Sequence, residues 1–183
     1  MSRRQLKGTS DLTGKDIRTL IWLKHRFIGD AVMATPLLRA VHDSGVEYSI
    51  IAAPHLAKLF EREPYSGRID PVGRVSGFGG FFRQVRSLKS GNFERVFLVN
   101  RSARSALIAR FAGIAERVGH DTEGRGPLLT HRARYDVQKF EAACYGDLAR
   151  LVRLDCDDSR VFLTGVGSER DAQTVGVQPG STS

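Results

Sequence analysis

Cysteine is nearly absent from this chain. Cys144 and Cys156 are the only two, too few for a disulfide scaffold. Their spacing fits no common zinc pattern, and His120 and His131 do not complete one. Long apolar runs are also missing. The longest, such as Leu20–Leu23 and Val96–Val99, fall far short of the roughly 20 residues that span a bilayer. Arg3, Arg4 and Lys7 are followed by no apolar stretch, so no secretory signal is read and a cytoplasmic protein is expected. The glycine fingerprints of common cofactor cradles are missing too. There is no Gly-x-Gly-x-x-Gly and no phosphate loop ending in Gly-Lys-Ser/Thr. Acidic residues are scarce: 20 stand against 28 Lys and Arg, giving a net charge of +8 and a pI near 10. Such an excess attracts polyanions, whether nucleic acid, anionic lipid headgroups or phosphorylated small molecules. Charge alone does not choose among them.

What is present alternates. Residues 1–16 are polar, basic and without period, and read as a flexible tail. Ile17–Leu23 reads as a buried strand. Gly29–Asp43 carries Val32, Met33, Leu37, Leu38 and Val41 at helical spacing. Pro36 either kinks this helix or opens a new one capped by Thr35. Gly45 is a plausible stop. Further strands are expected at Glu47–Ala52, Arg68–Val72, Arg95–Val99 and Arg117–Gly119. Helices are expected at Pro54–Glu61, Gly79–Ser90, Ser102–Ala112 and Val137–Leu154, with Gly91 and Gly113 as stops and a loop over Thr122–Thr130. The alternation predicts an α/β fold, a parallel sheet flanked by helices with right-handed crossovers, over residues 17–154. Thr174–Val177 reads as a new strand and Gln178–Ser181 as the loop after it. Residues 155–183 are therefore expected to be a linker and the start of a truncated second domain.

In parallel sheets, ligands bind beyond the carboxyl ends of the strands. The first strand-to-helix turn reads Lys24-His25-Arg26-Phe27-Ile28-Gly29-Asp30. Asp30 is either an N-cap that satisfies free backbone N–H groups or a general base beside a bound acceptor. Lys24 and Arg26 are either a solvated basic turn or contacts for an anionic substrate. Arg101 and Arg104 follow the fourth strand and should reach the same edge. Arg117, Arg125, His131 and Arg132 cluster in and around the next loop.

Four blocks resemble glycosyltransferase family nine, the ADP-heptose:lipopolysaccharide heptosyltransferases. They are LIWLKHRFIGDAVMATPLLRAV (Leu20–Val41), RSARSALIARFAGIAERVGHD (Arg101–Asp121), the helix around Tyr135–Leu151, and VGVQPGS (Val175–Ser181). The resemblance implies two Rossmann-like domains in the GT-B arrangement, with this chain as the N-terminal, acceptor-binding half. It implies Asp30 as the catalytic base of an inverting transfer. It also implies a nucleotide-sugar donor such as ADP-heptose and no metal or other cofactor. Lys24, Arg26, Gly29, Arg101, Arg104 and Arg117 would bind an acidic, lipid-linked glycan such as a lipopolysaccharide core. Peripheral contact with the inner face of the membrane is implied with it. Positions 26 and 27 are Arg-Phe, where heptosyltransferases often carry small hydroxyl residues. The competing reading is a basic module that binds anionic ligands or nucleic acid without chemistry. The chain has no stacking motif and no helix-turn-helix signature, so nucleic acid is not expected.

Overall fold

The computed structural model describes residues 17–23, 27–71, 77–158 and 160–161. Among them, six strands form one sheet in which every pairing is parallel. They are β1 (Thr19–Trp22), β2 (Tyr48–Ala52), β3 (Ile69–Pro71), β4 (Arg95–Leu98), β5 (Glu116–His120) and β6 (His131–Ala133), in the order β3-β2-β1-β4-β5-β6. The helices are α1 (Ile28–Met33), α2 (Thr35–Asp43), α3 (Pro54–Leu59), α4 (Gly77–Ser90), α5 (Ala103–Phe111) and α6 (Glu141–Leu151).

β1 and β4 lie at the centre because both of their faces are apolar. Every residue of TLIW and RVFL is buried. The two-residue period of a strand sends alternate side chains to opposite faces. Ile21, Leu23, Phe97 and Val99 join a core under α1, α2, α3 and α6, with Leu37, Leu38, Val41, Leu56, Tyr145 and Leu148. Leu20, Trp22, Val96 and Leu98 join the other core under α4 and α5, with Leu88, Ala106, Ile108 and Ala109. From β1 the chain builds outward through β2 and β3, then returns to place β4 on the other side of β1. A crevice forms at such a reversal, where loops diverge to opposite faces. Here it lies beyond Trp22 and Leu98, which are paired in register.

Pro36 does split the predicted helix. α1 ends at Met33 and α2 begins at Thr35, with the proline in its first turn, where a missing N–H costs nothing. Thr35 is not the cap; Ala34 is, and the Thr35 hydroxyl donates back to the Val32 carbonyl at 2.7 Å. Gly45 and Gly113 close α2 and α5 in the left-handed conformation, with φ of 71° and 83°. After α4 the left-handed residue is Asn92 (φ 49°). Gly91 serves another need, since a Cβ there would run into the Phe93 ring.

Two expectations need correcting. Residues 131–133 are strand β6, not part of a cluster of loop cations. Arg132 lies 3.9 Å from the Asp121 carboxylate, and His131 Nδ1 pairs with the Thr130 hydroxyl. The last helix starts at Glu141 rather than Val137. Residues before it form a turn in which the Asp136 carboxylate accepts from the Gln138 amide at 2.9 Å. The predicted strand at 174–177 lies outside the described residues.

Arg125 fastens the carboxyl end of the sheet. Its side chain is fully buried. Nε donates to the His120 carbonyl at 2.8 Å, Nη1 to the Asn100 carbonyl at 2.5 Å and Nη2 to the Leu98 carbonyl at 3.4 Å. One planar fork thus ties the ends of β4 and β5 together. Gly119 makes room for it, because a Cβ there would stand 3.2 Å from Nη2. Arg125→Ala should destabilise the fold by on the order of 3 kcal/mol, because buried carbonyls lose their donors and a cavity opens. Arg125→Lys should recover only part, since an ammonium cannot fork. Urea midpoints at unchanged m check both.

Candidate functional site at the carboxyl edge of the sheet

Gly29 and Asp30 lie in the first turn of α1, directly above the end of β1. The N-cap of this helix is Phe27, with an extended backbone and no side-chain capping bond. Asp30 is three residues further on and half-buried, so it is not the N-cap. Gly29 is exposed, its φ is not left-handed, and an added Cβ would meet nothing within 4 Å. Neither its backbone nor the domain's own packing therefore demands a glycine at this point of the edge.

Arg101 follows β4, and its guanidinium carbon sits over the Tyr135 ring, 4.2 Å from its centroid. The Tyr135 hydroxyl donates to Glu141 Oε2 at 2.5 Å, and the Tyr145 hydroxyl donates to Glu141 Oε1 at 2.7 Å. Burial, the Glu141 carboxylate and the charge of Asp30 all push the Tyr145 hydroxyl well above the usual phenol range. It therefore stays a hydrogen-bond donor throughout the working pH range. Arg101, Tyr135, Glu141, Tyr145 and Asp30 thus form one electrostatic run from the loop after β4 to the turn after β1.

His120 backs this run. Its ring meets Tyr135 edge-on at 5.3 Å and Tyr145 at 6.1 Å. Nε2 is 3.0 Å from the Cys144 carbonyl. A carbonyl only accepts, so Nε2 carries the proton and Nδ1 is left with a bare lone pair. Nδ1 is buried and has no hydrogen-bond partner. Burial pushes the ring down to about 4, and the nearby charge of Arg125 adds to this.

The remaining candidates divide. Lys24 and Arg26 lie outside the described residues. Arg104 stands at the start of α5, but its Nη2 donates to the Gly77 carbonyl at 2.8 Å and its guanidinium sits over Phe81. Arg117 is not brought to the crevice. It is the second residue of β5, and its guanidinium donates to the Leu128 carbonyl at 2.7 Å and to the carbonyls of Ile114 and Ala115. Its work is to hold the loops on either side of β5. Arg125 is likewise an internal clamp. Sequence reasoning missed Tyr135, Glu141, Tyr145 and the role of His120. The Glu141/Tyr145 pair is spaced at i, i+4 on one helical face, a signal that was present but reads equally well as amphipathic packing.

This is a parallel α/β domain whose strand order reverses between β1 and β4, with Asp30 in the helix after β1 and Arg101 in the loop after β4. Residues 81–152 match the family model "Glycosyltransferase family 9 (heptosyltransferase)", the family that the four sequence blocks resemble. The matched segment holds Arg101, Arg125, Tyr135, Glu141 and Tyr145, while Asp30 lies before it. Among solved structures, the chain is similar to E. coli ADP-heptose lps heptosyltransferase II, with a TM-score of 0.64, 24% identity, and coverage of 73% of this chain and 40% of that one. It is also similar to a glycosyl transferase family 9 protein from Veillonella parvula, with a TM-score of 0.61, 17% identity, and coverage of 80% and 44%. E. coli heptosyltransferase WaaC with ADP-2-deoxy-2-fluoro heptose gives 0.60, 14%, 80% and 51%. At these identities the likeness shows a shared fold, and the chain spans about half the length, or less, of each structure. No curated protein matches. Among the described residues, no helix is long and apolar enough to cross a membrane.

Folding keeps His120 neutral, and an unfolded chain would release the ring to its ordinary value near 6.5. The unfolded state therefore binds more protons between about pH 6.5 and 4, and stability falls as pH drops through that window. Between about pH 7 and 5, wild type should lose about 2 kcal/mol more than His120→Gln. Urea unfolding at the two pH values reads the difference. Equal losses would show that His120 is not held neutral.

Proposed function

We propose that this chain is the acceptor-binding half of an inverting glycosyltransferase of the heptosyltransferase kind. The observation that carries the proposal is the set of side chains gathered at the carboxyl edge of the sheet. The charge of Asp30 acts on Tyr145, the last member of the Arg101–Tyr135–Glu141–Tyr145 run, and that run lies in the segment that matches the family.

In the proposed reaction Asp30 takes the proton from an acceptor sugar hydroxyl. The freed oxygen pair attacks the anomeric carbon of the donor. The bond from that carbon to the diphosphate oxygen breaks, its electrons leave with the nucleoside diphosphate, and configuration inverts. A nucleotide sugar such as ADP-heptose would come from a facing donor-binding half, with no metal or further cofactor in the scheme. The acceptor would be an acidic, lipid-linked glycan of the lipopolysaccharide-core type, reached from the cytoplasmic side. Arg101, with Lys24 and Arg26 of the β1–α1 turn, would hold its anionic groups, since arginine forks match carboxylates and phosphates. Gly29 would leave space for the sugar to approach. Glu141 accepts from two phenols, which supports a positioning role for it rather than that of the base.

The test joins this chain to a donor-binding half and measures transfer from ADP-heptose to a deacylated lipopolysaccharide core. Asp30→Asn should lower kcat by about 10²–10⁴-fold with circular dichroism unchanged. An equally active variant would remove Asp30 as base. Arg101→Met should raise the acceptor KM by about tenfold and change kcat less. A KM left at the wild-type value would take Arg101 out of the acceptor site.

A further inference from the structure

The chain does not leave α6 freely but turns back on the helix. Arg153 adopts the left-handed conformation, with φ of 61°. Its amide donates to the Arg150 carbonyl at 3.0 Å, and the Leu154 amide donates to the Ala149 carbonyl at 3.1 Å. Glycine is the usual residue at such a reversal, and any other makes it less favourable. Residues 154–158 then lie against α6. Cys156 joins the core that holds Tyr145, Leu148 and Ala149. Asp158 meets the helix at Gly146. A Cβ on Gly146 would stand 2.8 Å from the Cβ of Asp158, so a larger residue there would displace the returning chain and not only the end of a side chain. Glycine weakens a helix interior. Here the space it leaves is filled by Asp158.

Little apolar surface secures this segment. Of residues 154–158 only Cys156 is buried. Arg150 supplies a polar hold, with Nη2 2.8 Å from Asp158 Oδ2 and 3.4 Å from the Cys156 carbonyl oxygen. Segments with few buried apolar contacts and exposed polar bonds open more readily than the domain around them. Arg150 also faces inward along α6. Its Nη1 lies 3.2 Å from Asp147 Oδ1, and Asp147 Oδ2 lies 2.8 Å from Lys139 Nζ. Charge therefore alternates along Asp158, Arg150, Asp147 and Lys139, from the returning chain to the turn before α6. Tyr135 begins that turn, with Arg101 over its ring and its hydroxyl on Glu141. Tyr135, Lys139, Asp147 and Arg150 line an open groove of about 750 Å³, so salt reaches the ion pairs.

We infer that residues 154–158 form a strap that opens without unfolding the domain, and that its closure steadies the Tyr135 turn through Arg150 and Asp147. With the strap closed, Arg150 is shared between Asp158 and Asp147. With it open, Arg150 loses one of its two fixed partners and swings more widely. Asp147 is then held less firmly, and so is Lys139, which ties the turn to α6. The ring beneath Arg101 has one restraint fewer. Burial in the closed form pushes the Cys156 thiol up to about 11, which leaves that form inert to alkylation at about pH 8. Strap and turn are coupled in this way whether or not the domain takes part in sugar transfer.

Timed alkylation of the whole chain with iodoacetamide, read by mass spectrometry of the two cysteine peptides, tests the strap. Cys144 lies on the buried face of α6 and reports unfolding of the domain. In wild type, Cys156 should be labelled at least about tenfold faster than Cys144, at a rate that low urea barely changes. Gly146→Ala should raise the Cys156 rate about tenfold again, because the added methyl crowds the strap. The Cys144 rate and the urea midpoint should not worsen, since alanine suits a helix. Asp158→Asn should raise the Cys156 rate about threefold, and added salt should raise it in wild type but not in this variant. The link to the turn is read from NMR signals of the Arg101 side chain, which the Tyr135 ring displaces. Gly146→Ala should shrink that displacement, and Lys139→Met added to it should change little more. Equal labelling of the two cysteines overturns the inference, since opening is then global. So does a wild-type Cys156 rate in Gly146→Ala. Arg101 signals that stay in place while Cys156 becomes reactive also overturn it, because strap and turn are then independent. No arm measures sugar transfer, so failure here and failure of the proposed function are distinguishable.

Discussion

A buried guanidinium governs the working end of this domain. The carboxyl ends of parallel strands expose carbonyls where the strands stop and the loops diverge. Buried carbonyls need donors. Arg125 supplies them to Leu98, Asn100 and His120 at once, from a loop that folds back under Gly119. Burial draws the guanidinium down to about 10, still far enough above neutrality to keep its charge. The loop carrying Arg101 therefore leaves β4 from a fixed point.

That buried charge shapes what lies around it. His120, next to Arg125 and enclosed by aromatic rings, is held neutral. Glu141 receives two phenol donors and offsets the cations. At the opposite end of the sheet the pattern differs. Arg95 pairs with Glu116 at 2.6 Å and Arg18 with Glu47 at 2.8 Å, so cation and acid are matched where the strands begin. The ion pairs at the start of the strands are thus direct, whereas at the carboxyl end Glu141 reaches the cations through tyrosine hydroxyls and rings.

Much of the fold was legible because its signals are local. TLIW and RVFL announce doubly buried strands, Pro36 announces a broken helix, and Gly45 and Gly113 announce helix stops. β6 was not legible. HRA is short, polar and only half-buried, and its pairing with β5 is set by the loop that Arg125 organises. The site was half legible for the same reason. The Gly29–Asp30 turn and Arg101 could be placed at the crevice from topology alone, because strand order fixes which loops meet. Arg117 could not be excluded that way. Its removal from the edge depends on its place early in β5 and on carbonyls at 114, 115 and 128, contacts that no spacing rule reveals. Arg125 read as one member of a basic cluster in and around its loop, because nothing in the spacing shows that its side chain turns inward to the carbonyls of 98, 100 and 120.

The same distinction explains how one basic chain divides its cations. An arginine surrounded by carbonyls, as Arg125 and Arg117 are, has spent its donors on the fold. Arg101 instead sits over the Tyr135 ring and, among the described residues, makes no backbone carbonyl contact of that kind. Arg83, Arg86, Lys89 and Arg110, exposed on α4 and α5 with no acid nearby in sequence, act as a field rather than as a fork, whereas Arg104 is tied to the Gly77 carbonyl and the Phe81 ring. Net charge counts these groups alike, although the fold uses the donors of Arg125 and Arg117 and leaves the exposed cations of the helices to solvent.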